Sequence, residues 1–158
     1  MNDDIDNLVI RNALIDNYTN DAAGLDSKNW DVVRSCFMDD IYIDYGALSA
    51  STGAPDEPRK ADDWMVYLRS VIDKFDITRH AITNHRVAIS DELVRCRAYL
   101  CADHVKFQDP SVTVANADDV ATVVGEYANA YVLDNGVWKI SRSQLVVHYS
   151  TGNLALFA

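Results

Sequence analysis

Cysteine is scarce in this chain, and what there is cannot cross-link. Cys36, Cys96 and Cys101 are odd in number and show no C-x-x-C spacing. Cys96 and Cys101 sit five apart in a predicted strand, so their side chains leave on opposite faces. A disulfide framework and a zinc site are both disfavoured, and the three read as reduced, small apolar residues of a cytoplasmic protein. Positive charge is short as well. Fourteen Lys and Arg against 24 Asp and Glu leave a formal charge of −10, which repels phosphate backbones and anionic lipid alike. Neither nucleic acid nor a membrane surface is expected as a partner.

Other absences narrow the chemistry. No apolar run reaches the roughly eighteen residues of a membrane span. The start, MNDDIDNLVI, is acidic and has neither the basic nor the apolar region of a leader. The four histidines (His80, His85, His104 and His148) include no H-E-x-x-H or other ligand spacing, so no metal is expected. G-x-S-x-G, Walker and dinucleotide-binding patterns are missing too, which removes the commonest hydrolase, kinase and dehydrogenase readings.

What is present is an ordinary globular composition, 49% hydrophobic and 24% charged, enough for one domain over 1–158 with its own core. Helical spacing of Ile5, Leu8, Asn12, Ile15, Tyr18 and Ala22 predicts a first helix to about Ala23, ended by Gly24. Asp26 and Ser27 stand where N-caps belong for a second helix, Lys28 to about Phe37, carrying Trp30, Val33 and Phe37. A strand is predicted at Ile41–Tyr45. Gly46–Lys60, with two of the three prolines, is a surface loop and candidate lid. A third helix, Ala61 to about Phe75, aligns Trp64, Leu68, Val71 and Phe75. Trp30, Trp64 and Trp138 all read as core.

Strands follow near His80–Ile89, Leu93–Phe107, Val120–Leu133 and Val137–Tyr149, with Asn135-Gly136 a tight hairpin turn. Helices first and antiparallel strands after give an α+β domain. Parity assigns strand faces. Cys96, Ala98, Leu100, Ala102 and His104 share an apolar face, so His104 is an inward polar group at its end. On the next strand Gly125, Tyr127, Asn129 and Tyr131 oppose Glu126, Ala128 and Ala130, and parity does not say which set is inside. A carboxylate and one or two histidines in an apolar pocket suit proton transfer without a cofactor. Taken by itself, Asp26 reads first as an N-cap.

The block Leu25-Asp26-Ser27-Lys28-Asn29-Trp30-Asp31, followed by Ile43-Asp44-Tyr45, Thr78-Arg79-His80-Ala81-Ile82, Asp103-His104 and Asn135-Gly136-Val137-Trp138-Lys139, changes that. It resembles scytalone dehydratase and its relatives in the SnoaL-like, nuclear transport factor 2-like superfamily, over about Leu8 to Gly152. The resemblance implies a cone-shaped α+β barrel, with three helices inside a strongly curved, mixed, mostly antiparallel sheet. It also implies a homo-oligomer, dimer or trimer, joined through the outer sheet face. The function implied is a cofactor-independent lyase that removes water from a small cyclic substrate. Asp26 matches the carboxylate that orients the catalytic histidine, His80 that histidine, His104 a second one, and Tyr45 a carbonyl-polarising tyrosine.

Asp26 and His80 also resemble the dyad of hexachlorocyclohexane dehydrochlorinase and of bile-acid 7α-dehydratase. Leu25, Phe75, Tyr127 and Asn129 are expected against the substrate. Leu25 stands where the relatives have a second tyrosine, Tyr127 where they have an asparagine, and Gly125 where they have a serine. The covering C-terminal extension is absent, which predicts an open mouth. Isomerisation, cyclisation or epoxide opening in the same pocket, or ligand binding without catalysis, stay as alternatives.

Overall fold

The computed structural model describes residues 3–111 and 113–158. Its first helix, α1 (Asp3–Ser27), buries Leu14, Tyr18, Ala22 and Leu25 along one side, the three-and-four spacing of a core-facing stripe. Ile5 and Leu8, predicted on that stripe, are 55% and 58% exposed instead. The first turns of α1 reach only an open groove beside Val87 and Ile89.

The helix does not stop at Gly24. A Cβ there would come within 2.7 Å of Val33 Cγ2, so the missing side chain makes room for a neighbouring helix. The stop comes at Lys28, whose φ is 56°. Its N–H donates to the Leu25 carbonyl (3.1 Å), and the Asn29 N–H to the Gly24 carbonyl (2.8 Å), the paired bonds of a Schellman cap. Asp26 is therefore in the last turn of α1 and does not cap the next helix. Asn29 does so, its side chain accepting from the Val32 N–H at 3.4 Å.

The second helix, α2, is the short Trp30–Ser35. Phe37, predicted on it, opens β1 (Phe37–Asp44) and is buried there. The predicted loop holds two 3-10 turns and then β2 (Arg59–Lys60), which pairs with β1. Arg59 donates to the Ile43 carbonyl (3.2 Å) and the Ala54 carbonyl (2.9 Å), and the Tyr67 hydroxyl to the Leu48 carbonyl, so the segment is tied down at several points. Helix α3 (Ala61–Ile72) has Asp62 and Asp63 in its first turn and Arg69 in its last, favourable to the helix dipole. It ends before Phe75, which packs in the following turn.

Four long strands complete the fold: β3 (Ile77–Ile89), β4 (Val94–Val105), β5 (Val120–Asp134) and β6 (Val137–Gly152). The six-stranded sheet has the order β2-β1-β6-β5-β4-β3, antiparallel except where β1 runs parallel to β6. It is the mixed, cone-shaped α+β architecture expected. Asn135 and Gly136 both have positive φ, 49° and 82°, as the tight β5–β6 turn requires.

Parity on β4 holds throughout, with Cys96, Ala98, Leu100, Ala102 and His104 all 5% exposed or less. On β5 the inward face is that of Gly125, Tyr127, Asn129 and Tyr131, with Asn129 at 3% and Tyr131 at 4%. In β3 the register shifts between Thr83 and Arg86, with Asn84 at φ 55°. That bulge reverses parity, so His80 and His85 both turn toward the interior.

The Tyr18 hydroxyl joins helix to sheet, donating to the Cys96 carbonyl at 2.7 Å in a buried position. Its loss removes a buried link between α1 and β4. Tyr18→Phe should cost about 1–2 kcal/mol of folding stability in urea denaturation.

Candidate active site

Asp26 leaves the last turn of α1 and meets the start of β3. Its Oδ1 accepts from the Thr78 hydroxyl (2.9 Å) and lies 2.7 Å from His80 Nδ1, while Oδ2 accepts the His80 backbone N–H at 3.0 Å. Burial would raise the Asp26 pKa. The hydrogen bonds from the His80 side chain and backbone and from Thr78 outweigh it, and the carboxyl is held below its ordinary range. An ionised Asp26 takes the Nδ1 proton of His80 as donor, which leaves Nε2 as the free basic nitrogen. The His80 side chain is 7% exposed and borders a cavity.

That cavity measures about 100 Å³ and is walled by Tyr45, Trp64, His80, His104, Tyr127 and Phe157 with aliphatic neighbours. It is smaller than the roughly 150 Å³ void that holds a benzene ring, so its occupant is no larger than a single small ring that also reaches into the mouth. His104 sits edge-on to His80, ring centroids 5.4 Å apart. Burial first, and the His80 charge second, push its pKa down to about 4, the nearby Ala121 and Ala102 backbone only partly opposing. His104 is thus neutral at ordinary pH. Its Nδ1 and the Trp64 Nε1 are buried without partners among the described residues.

A larger groove, about 430 Å³, lies on the outer sheet face among Arg95, Arg97, Arg142 and Asp44. It holds no acid–base pair, so the smaller interior cavity is the better candidate.

The structure brings His80, His104, Tyr45 and Tyr127 together around one space, with Asp26 behind His80. Leu25, at 6% exposure, belongs to the hydrophobic core beside it. Phe75 backs the His104 ring at 5.0 Å without lining the cavity. Asn129 is occupied within the wall, accepting from the Ser143 hydroxyl at 2.6 Å.

The mouth stays partly open, and Phe157 narrows it. Gly152, at φ 84°, has a Cβ position only 2.2 Å from the Val120 carbonyl oxygen, so glycine alone permits this close turn. Beyond it the 3-10 turn Leu154–Phe157 lays Phe157 on His104, 4.8 Å between centroids, and Lys74 Nζ donates to the Phe157 carbonyl at 3.3 Å. Trp64, read as core, is both core and cavity wall.

Sequence reasoning missed Asp21. Leu14, Tyr18, Asp21 and Leu25 follow the buried spacing of α1, which puts a carboxylate where an apolar residue belongs. Its Oδ1 is buried with no hydrogen-bond partner. Burial pushes its pKa up to about 7, with the His80 charge only partly opposing.

An α+β cone closed around an Asp–His pair is the class of protein that fold and site define. The SnoaL-like domain model matches residues 7–144, and the chain belongs to that family. Among solved structures it is similar to the Kfla4162 protein from Kribbella flavida, at 27% identity over 94% of this chain and 97% of that one, TM-score 0.78. A provisionally assigned scytalone dehydratase from Novosphingobium aromaticivorans aligns at 21% identity over 92% and 89%, TM-score 0.72. The hexachlorocyclohexane dehydrochlorinase LinA-type3 from Novosphingobium barchaimii aligns at 19% over 94% and 93%, TM-score 0.73. No curated protein matches the sequence significantly. Among the described residues no helix is long and apolar enough to cross a membrane.

His104 and Asp21 give opposed pH dependences. Between the ordinary histidine value of 6.5 and about 4, the unfolded chain binds a proton at His104 that the folded one refuses, so this group makes stability fall on acidification. Between 3.8 and about 7 the folded chain keeps a proton on Asp21 that the unfolded one releases, so this group makes stability fall as pH rises. Urea denaturation of His104→Gln should show stability declining more with rising pH than wild type across that window, and Asp21→Asn the reverse. Slopes that change in the same direction would contradict the assignment.

Proposed function

We propose that this protein is a lyase that dehydrates a small cyclic β-hydroxy ketone by acid–base chemistry of Asp26 and His80. The observation that carries this is the 2.7 Å contact between His80 Nδ1 and an Asp26 carboxylate already saturated with donors, with the rest of the imidazole bordering an apolar cavity. Two of its fold neighbours bear the names of eliminating enzymes, which supports the reading.

His80 Nε2 takes the proton from the carbon beside the carbonyl, and the C–H electron pair moves onto the carbonyl oxygen as an enolate. The enolate re-forms the carbonyl, the new C=C appears, and the β-hydroxyl leaves with its bonding pair. The His80 imidazolium returns its proton to that hydroxide, so water departs and the base is restored. His104 is neutral here and hydrogen-bonds the leaving oxygen; the acid is the His80 imidazolium. Because one imidazole both takes and returns the proton, the hydrogen and the hydroxyl leave from the same face.

The same reading makes the chain a single cytoplasmic domain, consistent with its free cysteines. It makes the protein a dimer or trimer through the outer sheet face, where Tyr99, Val146 and Tyr149 stand exposed.

Incubation with 3-hydroxycyclohexanone, followed by the ultraviolet absorbance of 2-cyclohexenone and by product mass, tests the chemistry. Wild type should form the enone with loss of one water. Asp26→Ala and His80→Ala should each lower the rate about 10²–10⁴-fold while circular dichroism stays native. Turnover near wild type in either variant would sink the mechanism, and a product of unchanged mass would mark isomerisation instead.

A further inference from the structure

Tyr45 is the tyrosine expected to polarise the substrate carbonyl, yet its proton is already spent. Ser143 Oγ donates its single hydrogen to Asn129 Oδ1 at 2.6 Å. Ser143 can therefore only accept at its 2.9 Å contact with the Tyr45 hydroxyl, so Tyr45 donates there. Asn129 Nδ2 points on to the Tyr131 hydroxyl at 3.5 Å, and Ser143, Asn129 and Tyr131 are 1%, 3% and 4% exposed. The chain runs in one direction inside the wall and leaves Tyr45 no hydrogen for a ligand.

Tyr127 is in the opposite condition. Its ring centroid lies 5.8 Å from that of Tyr45 and it lines the cavity with His80. Its hydroxyl makes no hydrogen bond among the described residues, and burial drives its pKa well above the ordinary value, so it stays a donor. Tyr127 is half-buried and no protein group closes off its hydroxyl, so a ligand that enters the cavity can take its hydrogen bond.

Resting on the dehydratase reading above, we propose that Tyr127, and not Tyr45, is the catalytic hydrogen-bond donor to the substrate's carbonyl oxygen. The ligand class is a ring ketone whose oxygen meets Tyr127 while its α-carbon meets His80. The Tyr45–Ser143–Asn129–Tyr131 chain is a positioning element that holds the wall carrying Tyr127.

Asp21 follows Tyr18 by one turn of α1, the Tyr18 ring lies 6.3 Å from that of Tyr127, and the Asp21 Oδ1 is buried without a partner, which brings a carboxylate to this part of the interior. Its charge is felt at Cys36 ahead of β1, Tyr45 beyond β1, and Tyr127 and Tyr131 on β5, and it feels that of His80 on β3. The phenols of Tyr18, Tyr45, Tyr127 and Tyr131 and the Cys36 thiol are all pushed up by burial, the thiol to about 12, so they stay neutral. Asp21 thus ionises near pH 7 among neutral neighbours other than His80, and a carboxylate there opposes negative charge on the oxygen that Tyr127 receives.

The test uses bound 2-cyclohexenone and the infrared frequency of its carbonyl, alongside turnover of 3-hydroxycyclohexanone. The wild-type protein should lower the carbonyl frequency relative to the ketone in cyclohexane. Tyr127→Phe should abolish that lowering and reduce kcat about 10²-fold, while Tyr45→Phe keeps the lowered band. In wild type kcat should fall above about pH 7, and Asp21→Asn should remove that falling limb. A lowered band that survives in Tyr127→Phe and vanishes in Tyr45→Phe overturns the inference, even with turnover intact. Absence of turnover with the band still dependent on Tyr127 overturns the dehydratase reading and leaves the donor assignment standing.

Discussion

The structure turns on one carboxylate at a helix end. Asp26 receives a hydroxyl, a backbone N–H and an imidazole from the first residues of β3, and these three contacts fix where α1 meets the sheet. Two supports make it possible. The Schellman cap at Lys28 ends α1 one turn later than the glycine suggests, which puts Asp26 on the helix instead of in a loop. The same lysine then reaches across to donate to the Phe75 carbonyl at 2.7 Å, closing the turn before β3 against the helix end. A left-handed lysine is an unfavourable choice by sterics alone, and this hydrogen bond offsets part of that cost.

Two carboxylates on one helix show how much the partners matter. Asp26 and Asp21 both lie toward the interior of α1, and burial acts on both in the same direction. Asp26 has three donors and is held ionised, whereas Asp21 has a buried oxygen with none and is pushed toward neutrality. Environments that drive like groups apart are how a small apolar pocket keeps an acid and a base at the same pH. The histidines are treated as differently: His80 is held through Nδ1 by Asp26, while His104, packed between Phe75 and Phe157, is kept neutral by burial.

Legibility in the sequence followed the range of the interaction. On β4 each residue's face depends only on its own parity, and Cys96 through His104 could be placed without a structure. On β5 both faces carry plausible core residues, and only the neighbouring strands decide that Tyr127 and Asn129 are inside. Asp26 looked like an N-cap because Asp-Ser-Lys after a glycine is a local cap signal. What makes it part of a dyad is His80, fifty-four residues away. Asp21 was visible in principle, since its spacing from Tyr18 and Leu25 is that of the buried stripe. The parity reversal at Asn84 and the fold-back of Phe157 left no comparable pattern. Neither did the capture of Tyr45 by Ser143, ninety-eight residues along.

The cavity's charge account explains why its donors must be so unequally committed. At rest Asp26 is its settled negative charge, with His104 and the phenols of Tyr45 and Tyr127 neutral. Proton abstraction adds two more at once, an imidazolium and an enolate oxygen, in a space that water does not fill once a ring occupies it. The first is matched at 2.7 Å by Asp26, a distance at which a low dielectric makes the pairing strong. The second needs a donor not already engaged, because a hydroxyl that must break a bond to turn toward the substrate gives back what it gains. Tyr45 belongs to a hydrogen-bond chain that rigidifies the wall, and it contributes by staying in place. A fixed wall holding one free phenol opposite one free imidazole nitrogen is what the two ends of an elimination require, and it lets the surrounding apolar side chains set which ring enters.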